Sequence, residues 1–162
     1  MLFRSDVDTY PEGYYLTDDL TDQAIAMVRG GRASNPAKPF FLYMAHGAVH
    51  APLQAPAAEI DAQRGRYEAG WDEIRAQRFE RQQALGVVEP HTKLAPRNSE
   101  ANHEVQAWAD LSGDDQTLFS RYMEVFAAMV RTVDRSTERL LAAIDEMRSE
   151  EHTSELQSLA YL

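Results

Sequence analysis

Two histidines four residues apart, His46 and His50, are the first pair in this sequence whose types and spacing could do chemistry. On a helix that spacing puts both imidazoles on one face, where they could ligate zinc. Here they open the stretch His46-Gly47-Ala48-Val49-His50-Ala51-Pro52-Leu53-Gln54-Ala55-Pro56, whose glycine and two prolines specify a loop. No acidic residue lies between them, so the H-E-x-x-H pattern is absent. The local sequence favours two loop histidines, one packed and one solvated, over a metal pair. Asp18, Asp19 and Asp22 could form an acidic metal cluster, but they sit at a helix start, where the helix dipole already accounts for negative charge. Ser34-Asn35-Pro36-Ala37-Lys38 has the outline of a nucleophile motif and otherwise reads as a solvated loop.

The elements that must position these residues follow from periodicity and punctuation. Pro11 and Gly13 mark a loop before a first helix, expected over about Thr17 to Arg29. Thr17 is its candidate N-cap, and Leu20, Ala24, Met27 and Val28 form one buried face. Gly30-Gly31 is expected to end it. The run Phe40-Phe41-Leu42-Tyr43-Met44-Ala45 is short, aromatic-rich and apolar on both faces, which predicts a buried central strand. A helix, a loop and such a strand suggest an α/β domain, with the His46–Pro56 loop at the strand's C-terminal end, where open α/β sheets bind ligands.

Ala57 to Gly86 is helical in pattern and strongly charged, with a break near Gly65 and Gly70. Trp71, Ile74, Arg78 and Leu85 suggest an amphipathic helix there. Gly86 to Asn98 reads as a proline-containing loop, and Trp108 and Leu111 as anchors for the next helix. Ser112 with Asp115 is a capping signature. Leu118, Tyr122, Val125, Phe126, Met129, Val130 and Val133 then form a helical apolar stripe, continued by Leu140, Leu141, Ile144 and Met147. A kink is expected near Asp134–Ser136.

Composition narrows the function classes. The 162-residue chain has a formal net charge of -10 and is 44% hydrophobic, the balance of a globular domain carrying an acidic surface. That argues against nucleic acid or an anionic membrane as the main partner, since both need clustered Lys and Arg. The N-terminus has no apolar core of a signal peptide, and no apolar run reaches the roughly 18 residues of a membrane span. There is no cysteine, which excludes a disulfide, Cys-ligated zinc or a cysteine nucleophile within these residues. Compartment is left open.

Lys38 to Pro56, KPFFLYMAHGAVHAPLQAP, resembles the sulfatase family, specifically the arylsulfatase-like members of the alkaline-phosphatase-like superfamily. The family pairs a P-F-F-L-Y strand with a loop carrying His and x-P-L-Q-A-P. The resemblance extends to Gly13–Asp18, to Arg64-Gly65-Arg66-Tyr67-Glu68-Ala69-Gly70-Trp71-Asp72, to Arg78-Phe79 through Leu85-Gly86, to Leu94–Arg97 and to Arg121–Val130. Val133-Asp134 and Arg139-Leu140 continue it. It covers about residues 10 to 147 in the family's order, and ordered motifs are a far more specific signal than any one of them.

The resemblance implies a partial alkaline-phosphatase-like α/β domain over residues 1–147, helix-rich, around the central strand. It implies a parent that hydrolyses small-molecule or glycan sulfate esters through a formylglycine nucleophile and a divalent cation, usually calcium. His50 takes the place of a family histidine that binds sulfate or protonates the leaving group, making it both the catalytic and the substrate-binding candidate. No metal ligand is assigned. The nucleophile motif, C/S-x-P/A-x-R, belongs upstream of these residues. Ser34–Lys38 ends in Lys and precedes a strand, so it is rejected. Glu138 stands where the family often has glycine before Arg139. Arg148–Ser158, RSEEHTSELQS, resembles the in-frame translation of a common sequencing adaptor, so 148–162 is expected to be a non-native tail. As a fragment, the chain is expected to be inactive alone. The rivals are a fragment of a phosphatase or phosphodiesterase of the same superfamily, and a non-enzymatic helical interaction module.

Overall fold

In the computed structural model, residues 9–98 and 104–159 are described, with side chains up to Met147 in the last helix. The elements run α1 (Leu16–Ser34), α2 (Ala57–Asp61), α3 (Gly70–Ala84), a 3-10 turn (Trp108–Asp110) and α4 (Gly113–Leu159). The fold is helix-rich, and no strand occurs among the described residues.

The first helix begins one turn position earlier than its candidate cap. Tyr15, in extended conformation, is the N-cap, while Thr17 is buried within the first turn and its carbonyl accepts the Thr21 hydroxyl. Burial of Thr17 and Thr21 against α4 outweighs the capping preference of a threonine. The helix also runs through Gly30-Gly31 to Ser34, whose hydroxyl donates to the Gly30 carbonyl. Its stop is set by Pro36. The residue before a proline is pushed out of the helical region, and Asn35 sits at φ -156°, ψ 88°.

Beside α1 lies α4, running parallel to it. The cross-helix partners keep one constant sequence offset: Tyr15 with Thr132, Asp18 with Arg135, Asp22 with Arg139, and Arg29 with Glu146. The faces that meet are small and partly polar. Ala24 and Val28 on α1, and Ala128, Met129, Thr132, Ser136 and Ala143 on α4, are all buried. Small side chains let the two backbones approach, and the carboxylates of α1 then reach the arginines of α4. α4 starts as its capping signature predicts: the Asp115 N–H donates to Ser112 Oγ (3.1 Å) and the Ser112 hydroxyl donates to Asp115 Oδ2 (2.7 Å). It continues as helix through Asp134–Ser136, where a kink was expected. The hydroxyls of Thr132 and Thr137 bond back to their own helix, at the carbonyls of Met129 and Val133, and leave the backbone ladder in place.

The predicted stripe of α4 is only partly covered. Met129 is buried, but Leu118, Tyr122, Phe126 and Val130 are exposed, the last three on the flank of an open groove that Leu53, Tyr67 and Ile74 also line. The segment from Phe40 to Ala45 forms neither helix nor ladder among the described residues. From Phe41 onward its exposure alternates as in a strand, with Phe41 (92% exposed) and Tyr43 (81%) facing solvent and Leu42 and Met44 turned inward, while Phe40 is exposed as well. The expected buried strand is therefore not formed within these residues. A strand needs a neighbour to hydrogen-bond, and the described part of the chain supplies only helices and loops.

Candidate functional site

His46 and His50 lie on opposite sides of a turn rather than on one helical face. His46 is half-buried, like Leu42 and Met44 before it, and its Nδ1 is enclosed without a hydrogen-bond partner among the described residues. His50 is exposed at the turn beyond it. The expectation of one packed and one solvated histidine describes them well. Among the described residues no group of three His, Asp or Glu side chains gathers as a metal site.

The turn is built locally. The His50 N–H donates to the Gly47 carbonyl (3.0 Å), closing Gly47–His50. The Ala48–Val49 and Ala51–Pro52 peptide bonds are cis. His50 Nδ1 lies 2.7 Å from the Ala51 carbonyl oxygen. A carbonyl can only accept, so this bond requires the hydrogen on Nδ1. Nε2 has no hydrogen-bond partner among the described residues and is the other edge of the ring: an acceptor when the imidazole is neutral, a donor when it is protonated. That arrangement can bind an anionic oxygen or pass it a proton.

Two groups outside the loop hold its far end. The Tyr15 hydroxyl is 3.3 Å from the Gln54 carbonyl and 3.3 Å from Thr132 Oγ1. Glu59, on the short helix α2 that follows the loop, is paired with Arg135 and with Arg131 (3.4 Å). Arg135 also bonds both oxygens of Asp18 at 3.3 Å. Partial burial works against the Arg135 charge, but the hydrogen bonds and charges of Asp18 and Glu59 outweigh it and hold its pKa above the ordinary value. Asp22 is taken by Arg139, and Asp19 receives hydrogen bonds from Tyr14 and Gln23. The acidic cluster is thus spent on helix packing. Ser34 closes α1 and has no feature of a nucleophile.

A second constellation lies at Arg64–Asp72, far along the chain from His50, and every conspicuous residue in it has a structural task. Gly65, at φ 74°, donates its N–H to Glu124 Oε1 of α4 (2.7 Å). Gly70, at φ 77°, lies against the Trp108 indole so closely that a Cβ would come within 2.1 Å of it. The Trp71 indole N–H donates to the Gln106 carbonyl (3.1 Å), and its ring meets Trp108 and Phe119 edge-on at 4.8 and 5.4 Å. Asp72 accepts the Trp108 N–H (2.9 Å) and the Arg97 guanidinium (3.0 Å). The backbone hydrogen bond from Trp108 is the main reason its pKa lies below the usual carboxylate value, with Arg97 adding to it against some desolvation. For Glu124, burial is the largest influence and pushes upward, but Arg121, the Gly65 N–H and Arg64 together leave it lowered.

Residues 3–154 match the family described as Sulfatase. The chain belongs to the sulfatase family. An arylsulfatase from Klebsiella aerogenes is 29% identical over 143 residues, covering 88% of this chain and 29% of that protein. An uncharacterized sulfatase of Schizosaccharomyces pombe is 29% identical over 130 residues, covering 80% of this chain and 22% of its own length. The chain thus spans less than a third of the length of these sulfatases. Helix α4 continues to Leu159, and the family match ends within the segment expected to be a foreign tail. Among the described residues no helix is long and apolar enough to cross a membrane.

The sequence singled out His50 but missed Tyr15 and Glu59, which hold its loop. Tyr15 stands in the Gly13–Asp18 motif that resembles the family, yet nothing in that motif says which carbonyl its hydroxyl reaches.

Proposed function

We propose that this sulfatase-family chain supplies one part of an active site that hydrolyses sulfate esters, with His50 as its catalytic and substrate-binding histidine. The observation that carries the reading is the His50 turn, where Nδ1 is tied to the Ala51 carbonyl and Nε2 has no partner among the described residues. Sulfate-ester cleavage develops negative charge on the sulfate oxygens and the departing alkoxide, and a fixed imidazolium N–H meets either.

The formylglycine and calcium of the family find no counterpart here. The chain has no cysteine, Ser34 is at a helix end, and the acidic cluster Asp18, Asp19 and Asp22 is engaged by Arg135, Arg139, Tyr14 and Gln23. No step is therefore assigned to those groups from these residues. They belong to a longer parent, in which Phe40–Ala45 would be a central strand of an alkaline-phosphatase-like sheet. Residues 1–147 would be part of its catalytic domain, and 148–162 a foreign tail. Alone, the chain is expected to turn over no aryl sulfate above background.

Sequencing the genomic locus tests the parent and the tail together. A C/S-x-P/A-x-R motif upstream supports the sulfatase reading. A Thr or Ser without that motif points to phosphoryl transfer and overturns it. In the recovered enzyme, His50→Gln is expected to lower kcat for an aryl sulfate by about 10²- to 10⁴-fold. Unchanged kcat and KM would remove His50 from the site.

A further inference from the structure

We propose that Tyr15 is the positioning residue of His50, a bolt that fixes the far end of its loop to both long helices. The inference rests on the reading of His50 as the site histidine. The hydrogens on the three groups decide how the bolt works. A carbonyl only accepts, so the Tyr15 hydroxyl must donate to Gln54. Thr132 Oγ1 is fully buried and lies 2.8 Å from the Met129 carbonyl as well as 3.3 Å from Tyr15. If the Thr132 hydrogen goes to Met129, the Tyr15 hydrogen is shared between Gln54 and Thr132. If it goes to Tyr15, a chain runs from Thr132 through Tyr15 to Gln54. In both arrangements the Tyr15 hydrogen is what the loop receives.

The geometry of the loop makes that one bond consequential. Gly47 opens the His50 turn and Gln54 follows it. Leu16, next to Tyr15, is the nearest side chain to Gly47, with its Cδ2 3.9 Å from where a Cβ would stand. Two adjacent residues at the start of α1 therefore lie against both ends of the Gly47–Gln54 loop. Beyond Gln54, Glu59 pins α2 to Arg131 and Arg135 of α4, so the segment between Tyr15's bond and α2 is short. Within the turn itself the bonds run between near neighbours: His50 to Gly47, and His50 to Ala51. Those set the ring's orientation relative to the loop. Tyr15 sets the loop's position relative to the helices.

The test uses the 162-residue chain without substrate, so its outcome is independent of whether His50 meets sulfate. In Tyr15→Phe, amide exchange across Gly47–Gln54 should accelerate about three- to tenfold, the range expected for one hydrogen bond. Exchange in α3 and in the second half of α4 should not change. The imidazole ¹⁵N signals of His50 should shift toward the average of both tautomers as the loop loosens. Thr132→Ser, which keeps the hydroxyl, should exchange as the parent chain does, and Thr132→Val should fall between. Unchanged loop exchange in Tyr15→Phe overturns the proposal. So does a uniform rise across all helices, which would make Tyr15 a general packing residue. If Tyr15→Phe does not fold, the Thr132 pair decides: equal loop exchange in Thr132→Ser and Thr132→Val overturns the bolt. A failure of His50→Gln to affect the recovered enzyme, with these exchange results intact, would overturn the assignment of His50 and leave the bolt standing.

Discussion

The segment Arg64–Asp72 and the segment Phe40–His50 both carry family motifs, and they behave in opposite ways. In the first, two glycines, an indole, a carboxylate and their partners all close on one another within this chain. In the second, the backbone has no partner strand among the described residues, Phe40, Phe41 and Tyr43 are exposed, and the Nε2 of the histidine at its end has no partner among the described residues. The difference separates two meanings of a family motif. One kind of motif completes a structure on the spot. The other, on the proposed function, awaits what the described residues do not provide: a neighbouring strand for Phe41 and Tyr43, and a sulfate ester for His50.

The most severe way to probe the contrast is to break the self-contained segment at Gly70. An alanine there meets two penalties at once: a left-handed backbone, and a Cβ 2.1 Å from the Trp108 ring. The Trp71–Trp108–Phe119 cluster would have to open. Gly70→Ala is expected to cost about 3 kcal/mol or more, read from urea unfolding, with loss of the tryptophans' near-UV signal. A cost below about 1 kcal/mol would mean that the cluster is loosely packed and the contrast overdrawn.

Charge in the same segment gives a smaller effect with a definite pH dependence. Asp72 and Glu124 both have folded-state pKa values below their ordinary ones. Their contribution is therefore complete above the ordinary carboxylate range. It is lost as pH falls from the unfolded-state values through the lowered folded ones. Asp72→Asn should flatten this acid limb of the stability curve and, by weakening the bonds from Trp108 and Arg97, lower neutral-pH stability by about 1–2 kcal/mol. An acid limb identical to that of the parent chain would show that Asp72 gains nothing from its partners.

How much of this could be read beforehand depended on the range of the interaction. The Ser112–Asp115 cap, the helix break between Gly65 and Gly70 and the loop character of His46–Pro56 are local, and local spacing specified them. Longer-range pairings were out of reach. Nothing in periodicity says that Glu124 accepts the Gly65 N–H, or that Tyr15 reaches Gln54. The apolar stripe of α4 misled for a related reason. Periodicity identifies an apolar face but not its partner. Here α1 packs on the small residues Ala128, Thr132 and Ser136, leaving Tyr122, Phe126 and Val130 exposed. The same holds for Phe40–Ala45, whose pattern describes a buried strand but names no partner, and the described residues supply none.

Phe41 turns that last point into the smallest and most discriminating measurement. At 92% exposure its ring contributes little to the stability of this chain, so Phe41→Ala should shift the unfolding free energy by no more than about 0.5 kcal/mol. In the proposed parent the same ring would lie on a face of a central strand, where truncating it to alanine costs about 3–5 kcal/mol. The two measurements together test the contrast, because the side chain and the substitution are the same and only the surroundings differ. An equal, small effect in both would mean that Phe41 stays at the surface of the longer protein and that the strand reading is wrong. A large effect in the isolated chain would mean that Phe41 is already buried here, by folding or by self-association. Repeating the unfolding at several protein concentrations separates these, since only self-association makes the midpoint depend on concentration.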